Sequence, residues 1–233
     1  MQTASYIEQR ARLETYFDRT AVDAWSRLTS DAPVSRIRAT VRAGRDRMRS
    51  TLLSWLPESL LGRRLLDAGC GTGALAIEAA RRGASVVAID VAPTLVRLAQ
   101  ERAPQDLAAG TVEFRTGDML DSSLGAFDHV VAMDSLIHYR PADCVEAVAS
   151  LAARTRRTIL FTFAPRTPLL AAMHGVGRLF PRAERAPSIQ PVAEATLVTL
   201  IENHPGLRSW RRHRTQRIVN GFYTSQAMEL RAR

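Results

Sequence analysis

The glycine-rich segment 67–73, which reads Asp-Ala-Gly-Cys-Gly-Thr-Gly, constrains the fold of this chain more than any other stretch. An apolar run precedes it and a helical pattern follows it. Glycines lack a Cβ atom, so the backbone of such a turn can approach a ligand closely. The helix that follows offers free N–H groups and a partial positive charge to the same ligand. We therefore predict a ligand site at this turn between strand and helix, which we call the glycine turn.

From residue 64 onward, short apolar runs alternate with helical patterns, which is typical of βαβ units and a parallel sheet. The sequence predicts strands over 64–67, 85–90, 112–115, 127–133 and 158–163, with two more near the end. It predicts helices over 74–82, 93–102, 141–153 and 193–203, and an inserted helix over 169–180 after strand five. The predicted fold class is α/β, a Rossmann-like, doubly wound sheet.

The first sixty residues show helical patterns without the alternating strand patterns of the rest of the chain. We expect residues 1–60 to form an N-terminal helical cap that acts as a substrate lid, and residues 61–233 to form the main domain. Apolar residues recur at helical spacing over 33–57, which predicts an amphipathic helix. The other face of this helix carries arginines at positions 36, 38, 42, 45, 47 and 49. We interpret that face as a solvated surface or as a contact for an anionic membrane or ligand.

Composition narrows the class of protein without naming a partner. The net charge is +9, and all 32 Lys-plus-Arg positions are arginine. This charge suits a nucleic acid, an anionic small substrate or an acidic lipid surface equally, because long-range attraction does not identify its target. Cys70 and Cys144 stand alone, so we expect no metal site, no disulfide and a cytoplasmic location. No apolar run approaches the ~20 residues of a membrane span.

Acidic and sulfur-bearing side chains follow the predicted strands at the edge where ligands bind in open α/β sheets. Asp90 ends the second strand, about twenty residues after the glycine turn, where a carboxylate can accept both hydroxyls of a ribose. Asp118 and Met119 follow the third strand, where they can reach the amino group and the ring of an adenine. The candidate cofactor-binding residues are Asp67, Gly69, Gly71, Gly73, Asp90, Asp118, Met119 and Met133.

This arrangement resembles the class I methyltransferase family over residues 65–163. The resemblance implies S-adenosylmethionine as the cofactor, and the carboxylate of its methionyl tail suits the helix end at the glycine turn.

Three later motifs sharpen the resemblance. They read Leu-Ile-His-Tyr at 136–139, Phe-Ala-Pro-Arg-Thr at 163–167 and Leu-Phe-Pro at 179–181. In order and spacing they resemble motifs of the magnesium-protoporphyrin IX methyltransferase family, and Tyr-Phe-Asp at 16–18 with Trp25 fits the same family. The chain departs from that pattern at Ala21-Val22 and at Arg45. The resemblance implies methyl transfer to a propionate carboxylate of magnesium-protoporphyrin IX, in chlorophyll or bacteriochlorophyll biosynthesis.

The resemblance nominates His138 and Tyr16 as the catalytic pair on the acceptor side. A carboxylate with a pKa near ~4 is already ionised at neutral pH, so it needs orientation and desolvation more than a general base. His138 would orient that carboxylate or ligate the magnesium of the substrate, or would only pack near the cofactor. Arg166 would pair with the second propionate or lie in solvent. The implied partners are a magnesium chelatase subunit and a peripheral contact with the photosynthetic membrane, without nucleic acid.

Three other functions remain open from the sequence. A methyltransferase for a quinol or another acid would share the same cofactor residues. A nucleic-acid methyltransferase would account for the positive charge, but the chain lacks an Asn-Pro-Pro-Tyr loop after strand four and a Pro-Cys nucleophile. A regulatory protein would bind the cofactor without catalysis.

Overall fold

The structure of the chain is a computed structural model, and it describes residues 2–20, 36–166 and 188–233. Before the sheet lie helix α1 (Ala4–Thr15), a π-helical turn (Tyr16–Thr20) and helix α2 (Arg36–Ser54). The alternating part contains β1 (Arg64–Ala68), α3 (Ala74–Arg81), β2 (Ser85–Asp90), α4 (Pro93–Arg102), β3 (Thr111–Thr116), β4 (Phe127–Ala132), α5 (Pro141–Ala152) and β5 (Thr155–Phe163). The last elements are α6 (Glu194–Asn203), β6 (Trp210–Asn220) and β7 (Tyr223–Ala232).

The strands form one seven-stranded sheet in the order β3-β2-β1-β4-β5-β7-β6. Strands β1 to β5 all run parallel to one another. Strand β7 is antiparallel to β5, and β6 is antiparallel to β7. The chain winds outward from β1 in both directions, which confirms the predicted doubly wound α/β class. The two predicted terminal strands are also confirmed, as β6 and β7.

The predicted elements agree with the structure except at their ends. Strand β5 begins at Thr155, three residues earlier than predicted, because Thr155 pairs with Phe127 before a register shift in β4. The inserted helix predicted over 169–180, the motif at 179–181 and Trp25 lie outside the described residues.

Each face of the sheet carries its own hydrophobic core, since neighbouring residues on a strand point to opposite faces. Leu66 packs on one face with Val130, and Leu65 packs on the other with Val131. Helix α2 belongs to the second core, where its Leu52 is fully buried. The second half of the predicted cap therefore shares the core of the main domain, and a boundary at residue 60 stays a prediction.

Gly44 lets helix α2 lie directly against β7. A Cβ atom at this position would stand 2.5 Å from Cδ1 of Tyr223, closer than real Cβ contacts. Glycine inside a helix costs about 1 kcal/mol of stability relative to alanine. The close packing of α2 on the Tyr223 ring offsets this cost. The approach also sets the position of Arg45, the next residue on the helix.

We expect Leu52→Ala to lower the free energy of unfolding by about 2–5 kcal/mol, because truncating a fully buried leucine leaves a cavity. Urea denaturation followed by circular dichroism measures the loss. The matched control is Leu61→Ala, at a leucine that is 67% exposed, and it should change stability by less than about 0.5 kcal/mol. Equal effects of the two substitutions would contradict the buried packing of α2.

Candidate active site

The carboxyl ends of β1, β2 and β4 face one cavity, at the point where the chain leaves β1 in opposite directions. Ligands bind at such switch points in open α/β sheets. Six of the predicted site residues line this cavity, namely Gly69, Gly71, Asp90, Met119, Met133 and His138. The other four, Asp67, Gly73, Asp118 and Tyr16, lie around it without lining it.

The glycine turn has a backbone that only glycine adopts easily. Gly69, Gly71 and Gly73 have φ angles of +87°, +54° and +78°, in the region that disfavours side chains. A Cβ atom on Gly69 would stand 2.3 Å from Cβ of Ser135, whose hydroxyl donates a hydrogen bond to the carbonyl oxygen of Ala68 at 2.7 Å. The turn, which follows β1, therefore packs closely against Ser135 just after β4. Its glycine backbone lines the cavity.

Two acidic side chains support the glycine turn. Asp90 accepts hydrogen bonds from the N–H groups of Gly71 at 2.8 Å and Ala92 at 3.0 Å. Burial raises the pKa of Asp90, and these N–H groups oppose the rise. Burial, reinforced by the charge of Asp90, raises the pKa of Asp67 to about 7. Oδ2 of Asp67 is buried and has no hydrogen-bond partner among the described residues.

Asp118 anchors helix α1 beside the cavity. Its carboxylate accepts hydrogen bonds from the Tyr6 hydroxyl at 2.9 Å, Nη1 of Arg10 at 2.6 Å and Nε2 of Gln2 at 2.8 Å. The Tyr6 ring also stacks on Tyr139, with 4.7 Å between the ring centroids. The contact of Asp118 with an adenine amino group stays a prediction, and Tyr6 would share the same carboxylate.

A second carboxylate holds the beginning of α1. Asp143, in the first turn of α5, accepts hydrogen bonds from the hydroxyls of Thr3 at 2.6 Å and Ser5 at 2.8 Å. Leu13 and Phe17, further along the same segment, line the cavity. Helix α1 and the π-helical turn therefore form one wall of the site, and their role as a substrate lid stays a prediction.

The rings of His138 and Tyr16 both pack edge-on against the ring of Phe17. His138 lies in a 3₁₀ turn (Leu136–His138) just after β4 and lines the cavity. Its ring meets Phe17 edge-on, with 5.9 Å between centroids, and Phe17 meets Tyr16 in the same way at 5.2 Å. Burial raises the pKa of Tyr16. Tyr16 is therefore one ring removed from His138, and its catalytic role stays a prediction.

Arg45 points into the cavity, although its helical position suggested the outer, arginine-bearing face of α2. The solvated alternative is wrong for Arg45, because the buried carboxylate of Asp134 binds its guanidinium at 2.8 Å, and contact with an anionic ligand stays a prediction. Asp134 also accepts hydrogen bonds from the hydroxyls of Tyr223, Ser225 and Thr162. Asp134 has a φ angle of +54°, a left-handed conformation that aspartate tolerates better than most residues. The exposed Arg166 does not line the cavity.

Comparison with known proteins identifies the family. A model of the magnesium-protoporphyrin IX methyltransferase C-terminus matches residues 132–232, and a general methyltransferase domain matches 65–158. A magnesium-protoporphyrin O-methyltransferase of Rhodobacter capsulatus is 48% identical, covering 98% of this chain and 99% of the relative. This chain belongs to the magnesium-protoporphyrin O-methyltransferase family. The resemblance predicted from the sequence motifs is thereby confirmed.

A solved structure shares both the family and the fold. The crystal structure of magnesium protoporphyrin IX methyltransferase from Synechocystis PCC 6803 with bound SAH superimposes with a TM-score of 0.83 at 29% identity. It covers 96% of this chain and 99% of the other. A ubiquinone biosynthesis O-methyltransferase of Xanthomonas euvesicatoria is 38% identical but covers only 53% of this chain. The likeness to the quinone-pathway enzyme thus spans about half of this family member.

Two tyrosines and two charged residues line the cavity of this family member without having been predicted as site residues, namely Tyr6, Tyr139, Arg45 and Asp134. Asp134 and Tyr139 could have been predicted from the sequence, because they flank the predicted site residue His138 just after a strand. Nothing in the sequence points to Tyr6, since it lies 112 residues from its partner Asp118.

We expect Asp90→Ala to raise the dissociation constant for S-adenosylhomocysteine at least about tenfold, or about 1.4 kcal/mol. The substitution removes the predicted acceptor for the ribose and the hydrogen bond that holds the N–H of Gly71. Isothermal titration calorimetry measures the affinity. Glu101→Ala, at an exposed carboxylate in the last turn of α4, is the control and should bind normally. Unchanged affinity in Asp90→Ala would refute the assignment.

Proposed function

We propose that this chain transfers a methyl group from S-adenosylmethionine to a propionate carboxylate of magnesium-protoporphyrin IX. The product is the monomethyl ester used in chlorophyll and bacteriochlorophyll biosynthesis. The observation that carries the proposal is one cavity in which the glycine turn and Asp90 meet His138 and Arg45. The relative with 48% identity over nearly the whole chain supports the same substrate.

The residues present fit the proposed cofactor. The glycine turn offers bare backbone and a helix end to a carboxylate, and Asp90 offers acceptor oxygens to a ribose. When bound, the cofactor supplies a methyl group on a sulfonium sulfur. Met119 and Met133 give the same cavity an apolar wall.

The acceptor needs orientation more than proton removal. A propionate with a pKa near ~4 is ionised at neutral pH, so an O–CH₃ bond forms as the S–CH₃ bond breaks and no proton moves. Holding two reactants in line is worth effective molarities of roughly 10⁵ to 10⁸ M. In this chain, His138 would orient the carboxylate, and Leu13 and Phe17, which line the same cavity, would exclude water.

Arg45 offers the carboxylate a positive charge at the cavity. It is the one arginine among the cavity-lining residues that the structure describes. The salt bridge with Asp134 holds its guanidinium in place, and arginine matches carboxylate geometry well. Arg45 thus counters the repulsion that Asp90 and Asp134 would exert on an incoming anion.

The direct assay combines purified protein, magnesium-protoporphyrin IX and methyl-labelled S-adenosylmethionine. The proposed function predicts label in a base-labile ester of the macrocycle. Label transfer to a quinol but not to the macrocycle would favour the quinol alternative instead. Binding of S-adenosylmethionine without any transfer would favour the regulatory alternative.

We expect His138→Ala to lower turnover much more than it weakens cofactor binding, because the ring lies past β4 on the acceptor side. If His138 orients the carboxylate, kcat falls by roughly tenfold or more, the equivalent of one hydrogen bond to a charged group. If it ligates magnesium, affinity for the macrocycle falls and kcat at saturation is kept.

Turnover at saturating macrocycle and fluorescence quenching separate these two roles of His138. The control is His204→Ala, at a histidine that pairs with Glu146 on α5 and lies 66 residues after His138 in the chain. Both kinetic quantities within about twofold of wild type would exclude either role for His138.

We also propose a peripheral contact with an acidic membrane. Ile37, Val219 and Phe222 are each more than half exposed, and the turn between β6 and β7 is tied to α2 because Asn220 donates a hydrogen bond to the Thr40 carbonyl. Exposed arginines, including Arg36 and Arg47, lie on the same helix. Apolar groups beside arginines suit the surface of an anionic bilayer.

No helix in the described part of the chain is long and apolar enough to cross a membrane. The cytoplasmic location and the delivery of the macrocycle by a magnesium chelatase subunit stay predictions.

We expect wild-type protein to float with phosphatidylglycerol liposomes at low salt, and the double variant Arg36→Gln/Arg47→Gln to float less. Each arginine near such a surface contributes about 1 kcal/mol, and salt screens the attraction. The control is Arg81→Gln/Arg97→Gln, which removes the same charge from α3 and α4. Equal flotation of both variants would refute the contact through α2.

A further inference from the structure

A second cleft, which we call the basal cleft, opens at the amino ends of β1, β4 and β5. It lies at the edge of the sheet opposite the active-site cavity. The six residues of β4 separate the two openings by roughly 20 Å, at about 3.3 Å per residue. The end of α2 and the end of β7 complete its walls. Six arginines line it, namely Arg63, Arg156, Arg157, Arg214, Arg231 and Arg233.

The positive charge of the basal cleft is only partly neutralised. Glu229 is fully buried behind the wall and binds Arg214 and Arg231. Asp128 stands 3.5 Å from Arg157 and 3.9 Å from Arg63, which is longer than a good hydrogen bond. Among the residues that the structure describes, Arg156 and Arg233 have no carboxylate partner. The cleft therefore holds several guanidinium groups in excess of its acids.

His129 forms part of the floor of the basal cleft and lacks partners there. It is 2% exposed, and neither of its ring nitrogens has a hydrogen-bond partner in the described structure. Native proteins rarely bury a polar group without a hydrogen-bond partner, so the ring nitrogens of His129 indicate a ligand site. Burial lowers the pKa of His129 to about 4, so the neutral ring carries one N–H donor and one acceptor nitrogen.

We propose that the basal cleft binds a phosphate-bearing polyanion, with the arginines around its phosphate oxygens and the His129 N–H donating to one of them. Guanidinium groups bind phosphate through paired, charge-assisted hydrogen bonds, which favours arginine over a simple point charge. The number of arginines suits a ligand with more than one phosphate group. The ligand is either a soluble oligophosphate or the headgroups of an acidic phospholipid.

Calorimetry with inorganic tripolyphosphate tests the site on the whole protein without reference to methyl transfer. We expect saturable binding that Arg156→Gln/Arg157→Gln weakens at least about tenfold. The control Arg81→Gln/Arg97→Gln removes the same charge from α3 and α4 and should bind as wild type does. Unsaturable binding, or equal weakening in both variants, would show only general attraction to a cationic protein and would overturn the proposal.

The substitution His129→Phe tests the floor of the cleft separately. Without ligand we expect an equal or higher Tm, because the change removes two buried nitrogens that have no hydrogen-bond partner among the described residues. Affinity for tripolyphosphate should fall severalfold, while the fold stays intact by circular dichroism. Wild-type affinity in this variant would overturn the role assigned to His129.

Flotation with phosphatidic-acid vesicles distinguishes the two sources of phosphate. If the ligand is a headgroup, Arg156→Gln/Arg157→Gln loses tripolyphosphate binding and floats less than the wild type. If it is soluble, this variant loses tripolyphosphate binding but floats as the wild type does, through α2. Either pattern supports the cleft as a phosphate site, and retention of both activities overturns it.

Discussion

Asp134 stands at the end of β4 in a left-handed backbone conformation, and its buried carboxylate accepts hydrogen bonds from Arg45, Tyr223 and Ser225. Each hydrogen bond to a charged group is worth about 1.5–3 kcal/mol, and loss of the arginine would leave a buried charge uncompensated. These bonds join α2, β4 and β7 around the cavity. The acceptor side depends on this carboxylate, because it holds the arginine that faces the substrate space.

Helix α1 shares its supports with the cofactor side of the site. Asp118 holds Tyr6 and Arg10, and the sequence predicts that the same carboxylate contacts an adenine. Tyr6 also lines the cavity, so the contacts that dock α1 shape the cofactor side of the site. Phe17, in the π-helical turn that follows α1, belongs to the same wall.

The arginines of this chain serve different physical roles in different places. Arg45 is held at the active site, and Arg36 lies on the exposed end of α2. Arg156 belongs to a cleft at the opposite edge of the sheet. The net charge of +9 is thus a sum over separate surfaces, which is why composition suggested nucleic acid, lipid and small anions without deciding among them.

The sequence by itself determined the α/β sheet, the glycine turn and the family, because each depends on local pattern and spacing. The position of Asp90 at the cavity was predictable for the same reason, since it ends a strand at the edge where ligands bind, whereas His138 was nominated by the family resemblance. Only the tertiary structure decided that Arg45 faces the cavity. Helical periodicity cannot distinguish it from its solvent-facing neighbours. Its partner Asp134 is 89 residues away, and the close packing of α2 on β7 at Gly44 brings the two within 2.8 Å.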